Sequence, residues 1–231
     1  TARREDWPLE TFLQFLLEQE LAGRRQRRID RLTKQSHLPE GKTLSVFDQK
    51  RLPLRVRRML PQLCSGELID RAQNILIFGL PGTGKTHLAA ALGYEWIYAN
   101  RSVLFAPTYK LVGRLLRAKR DYELERELRR LDRFHVVILD DIGYVQQSRE
   151  EMEVLFTFLA ERYERRSVVI TSNLVFSEWD QIFKNPLTTA AAIDRVVHHS
   201  LIIEFGKEMT SYRAQEATKR NREEIAVDEV S

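Results

Sequence analysis

The chain has 231 residues, 43% of them hydrophobic, enough for one sizeable α/β domain with an appendage but not for two ordinary domains. Its net charge of +4 is unevenly spread: residues 21–60 hold twelve Lys/Arg against three Asp/Glu, so the remainder is net acidic and only one region calls for an anionic partner. The single cysteine, Cys64, excludes a disulfide framework and a cysteine-based zinc cluster; no apolar run reaches the ~18 residues of a membrane span, no secretory signal opens the chain, and a cytoplasmic protein is expected.

Leu9, Phe12, Leu13, Leu16, Leu17 and Leu21 recur at helical spacing and predict an amphipathic helix. It runs into Arg24, Arg25, Arg27, Arg28 and Arg31, and the chain breaks at Leu38-Pro39-Glu40-Gly41, a turn signal. A second basic stretch holds Lys50, Arg51, Arg55, Arg57 and Arg58. Short apolar strands then alternate with helical patterns, as in βαβ units with a parallel sheet. Strands are predicted at Asn74–Phe78, Val103–Ala106, Val136–Leu139, Val168–Thr171 and Leu201–Phe205. Helices are predicted at Lys85–Ala99, Tyr109–Leu131, Arg149–Arg166 and about Thr188–Val197. From Lys207 onward the chain is polar, a marginal helix or loose tail. The five histidines (37, 87, 135, 198 and 199) lack metalloprotease spacing and are expected to be structural.

The sharpest feature is G-L-P-G-T-G-K-T, spanning Gly79, Leu80, Pro81, Gly82, Thr83, Gly84, Lys85 and Thr86. It matches the full phosphate-loop pattern and stands between a strand and a helix, where that chemistry needs it. Glycines let backbone N–H groups wrap a phosphate, and the helix N-terminus adds partial positive charge. Lys85 supplies a full charge to the β/γ oxygens, and the Thr86 hydroxyl completes a Mg²⁺ shell. In V-V-I-L-D-D, Asp140 stands at the carboxyl end of a strand as the second metal residue, and Asp141 is placed to polarise the attacking water. Asn173, after the strand S-V-V-I-T-S, is placed to orient that water. No guanine-reading N-K-x-D occurs, so ATP is expected over GTP.

At these residues the pattern resembles the AAA+ ATPases of the helicase-loader branch. From about Leu44 to Phe205 it is similar to the IstB-like transposition helper ATPases of bacterial insertion sequences, relatives of the DnaC helicase loader. The carrying motifs include G-L-P-G-T-G-K-T-H-L-A-A-A-L-G, D-D-I-G-Y, T-S-N-L-V-F-S-E-W and A-A-A-I-D-R-V-V-H-H. The resemblance implies an α/β AAA+ P-loop NTPase with a parallel five-stranded sheet flanked by helices, preceded by a small helical basic region. Three parts are expected: a basic region at 1–43, an ATPase core at 44–206, and a short tail or truncated lid at 207–231. It also implies ATP and Mg²⁺ as cofactors, ATP-dependent self-assembly, duplex DNA and a cognate transposase as partners, and no membrane. Gly79–Thr86 correspond to Walker A, Asp140–Asp141 to Walker B and Asn173 to sensor 1. Arg195 falls at the arginine finger that reaches a neighbouring subunit's ATP, and Arg213 at a sensor 2 position. AAA+ proteins usually carry Glu where this chain has Asp141, a shorter side chain from which weaker water activation is expected.

With Asp30 as the neighbouring acid, Arg24, Arg25, Arg27, Arg28 and Arg31 read as an unpaired cationic stripe suited to duplex phosphates. Arg114, Arg117, Lys119 and Arg120 fit DNA or the glutamates that follow them equally well. No helix-turn-helix reader stands out, so little base readout is expected. The alternative function is a DnaC-like helicase loader whose amino-terminal helices grip a helicase rather than DNA. A small-molecule P-loop kinase would need neither Arg195 offered to another subunit nor the basic segment.

Overall fold

The computed structural model describes residues 8–144, 148–174, 196–198 and 200–206. Five parallel strands form one sheet: β1 (Asn74–Phe78), β2 (Val103–Pro107), β3 (Val136–Asp140), β4 (Ser167–Ser172) and β5 (Ser200–Glu204), in the order β2-β3-β4-β1-β5. Each stands within a residue of its predicted position at either end. Their continuous β-branched runs suit burial on both faces, since side chains alternate between two apolar layers. Ile75, Ile77, Val136 and Ile138 face one layer; Leu76, Phe78, Val137 and Leu139 face the other.

The first layer holds α1 (Leu9–Ser36), α2 (Leu54–Ser65), the short α3 (Glu67–Asp70) and α4 (Lys85–Tyr98). The amino-terminal half of α1 is exposed, whereas its last turns bury Leu32 and Ser36, and Leu38 beyond them joins the core. Trp96 of α4 is fully buried and donates its indole N–H to Leu63 O at 2.7 Å, tying α4 to α2. Gly93 brings α4 close to its neighbours: a Cβ there would stand 2.8 Å from Leu38 Cδ2 and 3.2 Å from Ile138 Cδ1.

The second layer holds α5 (Thr108–Arg120), α6 (Leu124–Asp132) and α7 (Arg149–Arg162). The single helix expected over Tyr109–Leu131 is therefore two, separated at Asp121–Glu123, where Tyr122 adopts φ 57°. α7 starts on a capping box, Ser148 and Glu151 exchanging backbone hydrogen bonds, and ends four residues before its predicted limit. Arg162 in its last turn is 2% exposed. Its guanidinium donates to Leu131 O (3.0 Å), Phe134 O (3.0 Å), His135 O (3.3 Å) and Ser167 O (3.0 Å). One side chain thus joins α6, the start of β3 and the start of β4 to α7. A buried carbonyl left without a donor costs about 1–3 kcal/mol, so this arginine holds the layer together. The helix expected at Thr188–Val197 lies outside the described residues as far as Arg195.

Candidate nucleotide site

The order β2-β3-β4-β1-β5 sets the carboxyl ends of β3, β4 and β1 side by side, and the loops leaving them meet. From β1 the chain enters the glycine loop with Gly79 at φ 154°, Gly82 at 78° and Gly84 at 107°. Gly79 has no room for a side chain, and Gly84 has little. A Cβ on Gly79 would lie 2.8 Å from Phe205 Cβ and 3.1 Å from Thr83 Oγ1; one on Gly84 would lie 3.2 Å from Phe47 Cε2. The buried Thr83 hydroxyl donates to Leu80 O at 2.8 Å, closing the turn over Pro81 and Gly82. α4 begins immediately afterwards, so its unsatisfied N–H groups stand at the loop.

Lys85 and Thr86, the first two residues of α4, reach the other strand ends. The Lys85 ammonium, 7% exposed, donates to Gly79 O (2.8 Å), Leu80 O (2.9 Å) and Asn173 Oδ1 (2.5 Å). The Asn173 amide N–H₂ in turn donates to Asp141 Oδ1 at 3.2 Å. Thr86 Oγ1 donates to Asp140 Oδ2 at 3.2 Å. Lys85, Thr86, Asp140, Asp141 and Asn173, picked out from three separate stretches of sequence, thus come together in one constellation.

Two hydroxyls missing from the sequence expectations complete it. Thr171 Oγ1 donates to Asp140 Oδ1 at 2.7 Å and accepts the Asp141 backbone N–H at 2.8 Å. Thr108 Oγ1 donates to the Asp140 carbonyl at 3.0 Å. Asp141 itself adopts φ 62°, the left-handed region that Asp and Asn enter more readily than longer side chains. Phe47 was also unforeseen: buried beside Gly84, it meets His87 edge-on at 5.2 Å, and His87 Nε2 lies 3.1 Å from Thr43 O. These contacts fasten the segment before α2 against the first turn of α4.

The family model for IstB-like ATP binding protein matches residues 1–220. The chain belongs to that family. An insertion-sequence protein of Sinorhizobium fredii, ATP-binding by name, is 43% identical to this IstB-like chain over 222 residues, 96% of the chain and 74% of the relative. The IS21 protein of Pseudomonas aeruginosa, likewise ATP-binding by name, is 38% identical over 99% of the chain and 88% of its own length. Among solved structures, DnaI superposes with a TM-score of 0.58 at 22% identity (74% of this chain, 96% of that one). The DnaC helicase loader gives 0.52 at 18% identity (66% and 89%). These neighbours establish the AAA+ P-loop fold.

The IstB-like site suits ATP and a hard divalent cation. Gly79, Gly82 and Gly84 carry the loop through positive φ, and a buried ammonium stands within it. The carboxylate of Asp140 and the Thr86 hydroxyl offer the paired oxygens that Mg²⁺ prefers. Asn173 and Asp141 stand next to the lysine, on the side of the β4 and β3 ends.

The basic residues of this IstB-like chain divide sharply. Arg24 and Arg27 both pair with Glu20, at 2.7 and 3.5 Å, so the stripe is partly neutralised by an acid one turn before it. Arg25, Arg28 and Arg31 are exposed and make no ion pair among the described residues. In the second cluster Arg114 meets Glu127 (2.6 Å), Lys119 meets Glu153 (2.8 Å), Arg120 approaches Glu150 (4.0 Å) and Arg117 Nε donates to Gly113 O (3.4 Å). Partial burial pushes the Arg114 pKa down, against the pull of Glu127. Arg195 and Arg213 lie outside the described residues. No described helix is long and apolar enough to cross a membrane.

Proposed function

We propose that the chain is an ATP-hydrolysing helper of transposition that assembles on duplex DNA, remodels it and stimulates the transposase of an insertion sequence. The observation that carries the ATPase part is the continuous link Lys85–Asn173–Asp141 beside the pair Thr86–Asp140. Bound Mg²⁺ would neutralise charge developing on the β- and γ-phosphate oxygens. Asp140 and Thr86 would hold it, and Lys85 would exchange its carbonyl contacts for phosphate oxygens. Asp141 would take a proton from the attacking water while Asn173 fixes that water's direction. The DNA part draws on the exposed Arg25, Arg28 and Arg31, joined by Arg24 and Arg27 once phosphate competes with Glu20.

Residues 1–43 would then be the DNA- and partner-binding region, 44–206 the ATPase core and 207–231 a tail or reduced lid. Arg195 would complete a neighbouring subunit's site. Its chain neighbour Val196 supports this, because Asn74 Nδ2 donates to Val196 O at 3.1 Å, at the amino end of β1. A strand of five residues puts that end about 15 Å from this chain's own glycine loop.

Asp141→Asn tests the catalytic part. The amide fits the same left-handed backbone but cannot accept the water proton. Hydrolysis should fall about 10²-fold or more while calorimetric ATP affinity stays within a few-fold. Unchanged turnover would remove Asp141 from its role.

A further inference from the structure

Where α1 crosses the carboxyl end of α4, a cleft of about 440 Å³ opens, lined by Arg24, Arg25, Arg28, Ile29, Tyr98 and Asn100 among others. Three arginines on one wall, two of them free of carboxylates, give it a strong positive charge. The carboxyl end of α4 would ordinarily oppose an anion, but the carbonyls of Glu95, Trp96 and Ile97 are already engaged. Ala99, Asn100 and Arg101 N–H groups bond to the carbonyls of Glu95, Ile97 and Trp96 at 2.8, 2.8 and 2.7 Å. The Arg101 guanidinium bonds to Ala99 O as well.

Three basic residues stand along the amino edge of the sheet beyond this cleft, and one of them, Arg166, carries a charge that no carboxylate offsets among the described residues. Arg101 precedes β2 and is held by Asp70 at 2.7 and 2.5 Å. His135 precedes β3, and its Nδ1 accepts the Ser102 N–H (3.1 Å), with the Ser102 hydroxyl at 2.6 Å. Arg166 precedes β4 and has no carboxylate partner among the described residues. These groups lie in a row, because β2, β3 and β4 are neighbours in the sheet with Val103, Val136 and Ser167 in register at their starts.

We infer that the α1–α4 cleft and Arg166 form one phosphodiester track for duplex DNA along the amino edge of the sheet, opposite the nucleotide loop. This deepens the DNA-binding function proposed above and rests on it. Duplex DNA is the occupant favoured because the cations are spaced over two rigid elements, α1 and the start of β4. Backbone phosphates recurring along a stiff rod meet such an array better than a single small anion does. Tyr98, about half exposed at 47%, and Asn100 add neutral donors to the cleft wall.

The test measures binding of the full chain to a 30-bp duplex of arbitrary sequence by fluorescence anisotropy, from low to moderate salt. Arg166→Ala should weaken binding several-fold and lower the slope of log K against log salt by about 0.9, the value of one phosphate contact. Arg25→Ala/Arg28→Ala should lower it by about twice that. Arg166→Lys should keep the slope, which separates charge from folding. Arg129→Ala removes the same formal charge from α6 and should leave the slope unchanged. A parent chain that binds duplex, with Arg166→Ala matching Arg129→Ala, would overturn the track and leave the DNA-binding function standing. A parent chain that ignores duplex but binds phosphatidylserine vesicles through Arg25 and Arg28 would overturn both.

Discussion

Asp141 shows how backbone and side chain are selected together. At φ 62° a residue with a long side chain is strained by about 1 kcal/mol or more, whereas Asp and Asn tolerate the conformation through their short polar groups. Thr171 sustains that geometry by bonding both the Asp140 carboxylate and the Asp141 N–H. It is a positioning residue, acting through the two aspartates. Thr171→Val keeps the shape, removes both hydrogen bonds and leaves the Asp140 carboxylate held by the Thr86 hydroxyl. Hydrolysis should fall about 10–100-fold, the usual scale for groups that orient metal ligands. The Mg²⁺ concentration for half-maximal activity should rise, and Thr171→Ser should restore both. If the valine variant keeps the parent's Mg²⁺ dependence, the hydroxyl serves only the fold.

At the scale of elements, the strands were legible because buried parallel strands need continuous apolar, β-branched runs, and nothing else in the chain has that pattern. The glycine loop was legible for the same kind of reason: Gly79 stands where a Cβ collides, and Gly84 holds a φ of 107° that side chains rarely adopt. The break between α5 and α6 was not, because Tyr122 enters positive φ with no Gly or Pro to mark it. Thr108, Thr171 and Phe47 have no spacing signature; only the juxtaposition of distant elements gives them partners. The second basic cluster divides among Glu127, Glu150 and Glu153, two of them on a helix that follows β3.

The strand starts also set a pH response. Burial first, then the charges of Arg166, Arg101 and Arg28, hold the His135 pKa below its ordinary 6.5, with Asp70 opposing. Its Nδ1 is an acceptor for Ser102, a role the protonated ring cannot fill. The unfolded chain therefore binds this proton more readily than the folded one. The stabilising contribution is complete above pH 6.5 and declines as pH falls from there toward the lower folded value. The melting temperature should drop between pH 7 and 5.5. His135→Asn, which keeps an acceptor but does not titrate, should flatten this drop. An equally steep decline in the variant would assign it to other groups.

The whole molecule is polarised. The nucleotide constellation occupies the carboxyl edge of the sheet, while Val196, anchored to Asn74, stands at the amino edge about 15 Å away. Arg195 itself lies outside the described residues, and in the function proposed above it serves a neighbour's ATP. Arg195→Ala should therefore bind ATP normally as a monomer and lose hydrolysis, by roughly 10³-fold if the finger contributes as in related phosphoryl transfer. Lys85→Ala should lose ATP binding while keeping its own Arg195. Mixed together on DNA, the two inactive variants can form an interface that pairs an intact nucleotide site with an intact finger. ATPase activity should reappear in the mixture and peak near equal amounts, whereas neither variant regains it when its own concentration is doubled. A finger acting within its own chain predicts no recovery at any ratio, provided light scattering shows that the two variants still co-assemble.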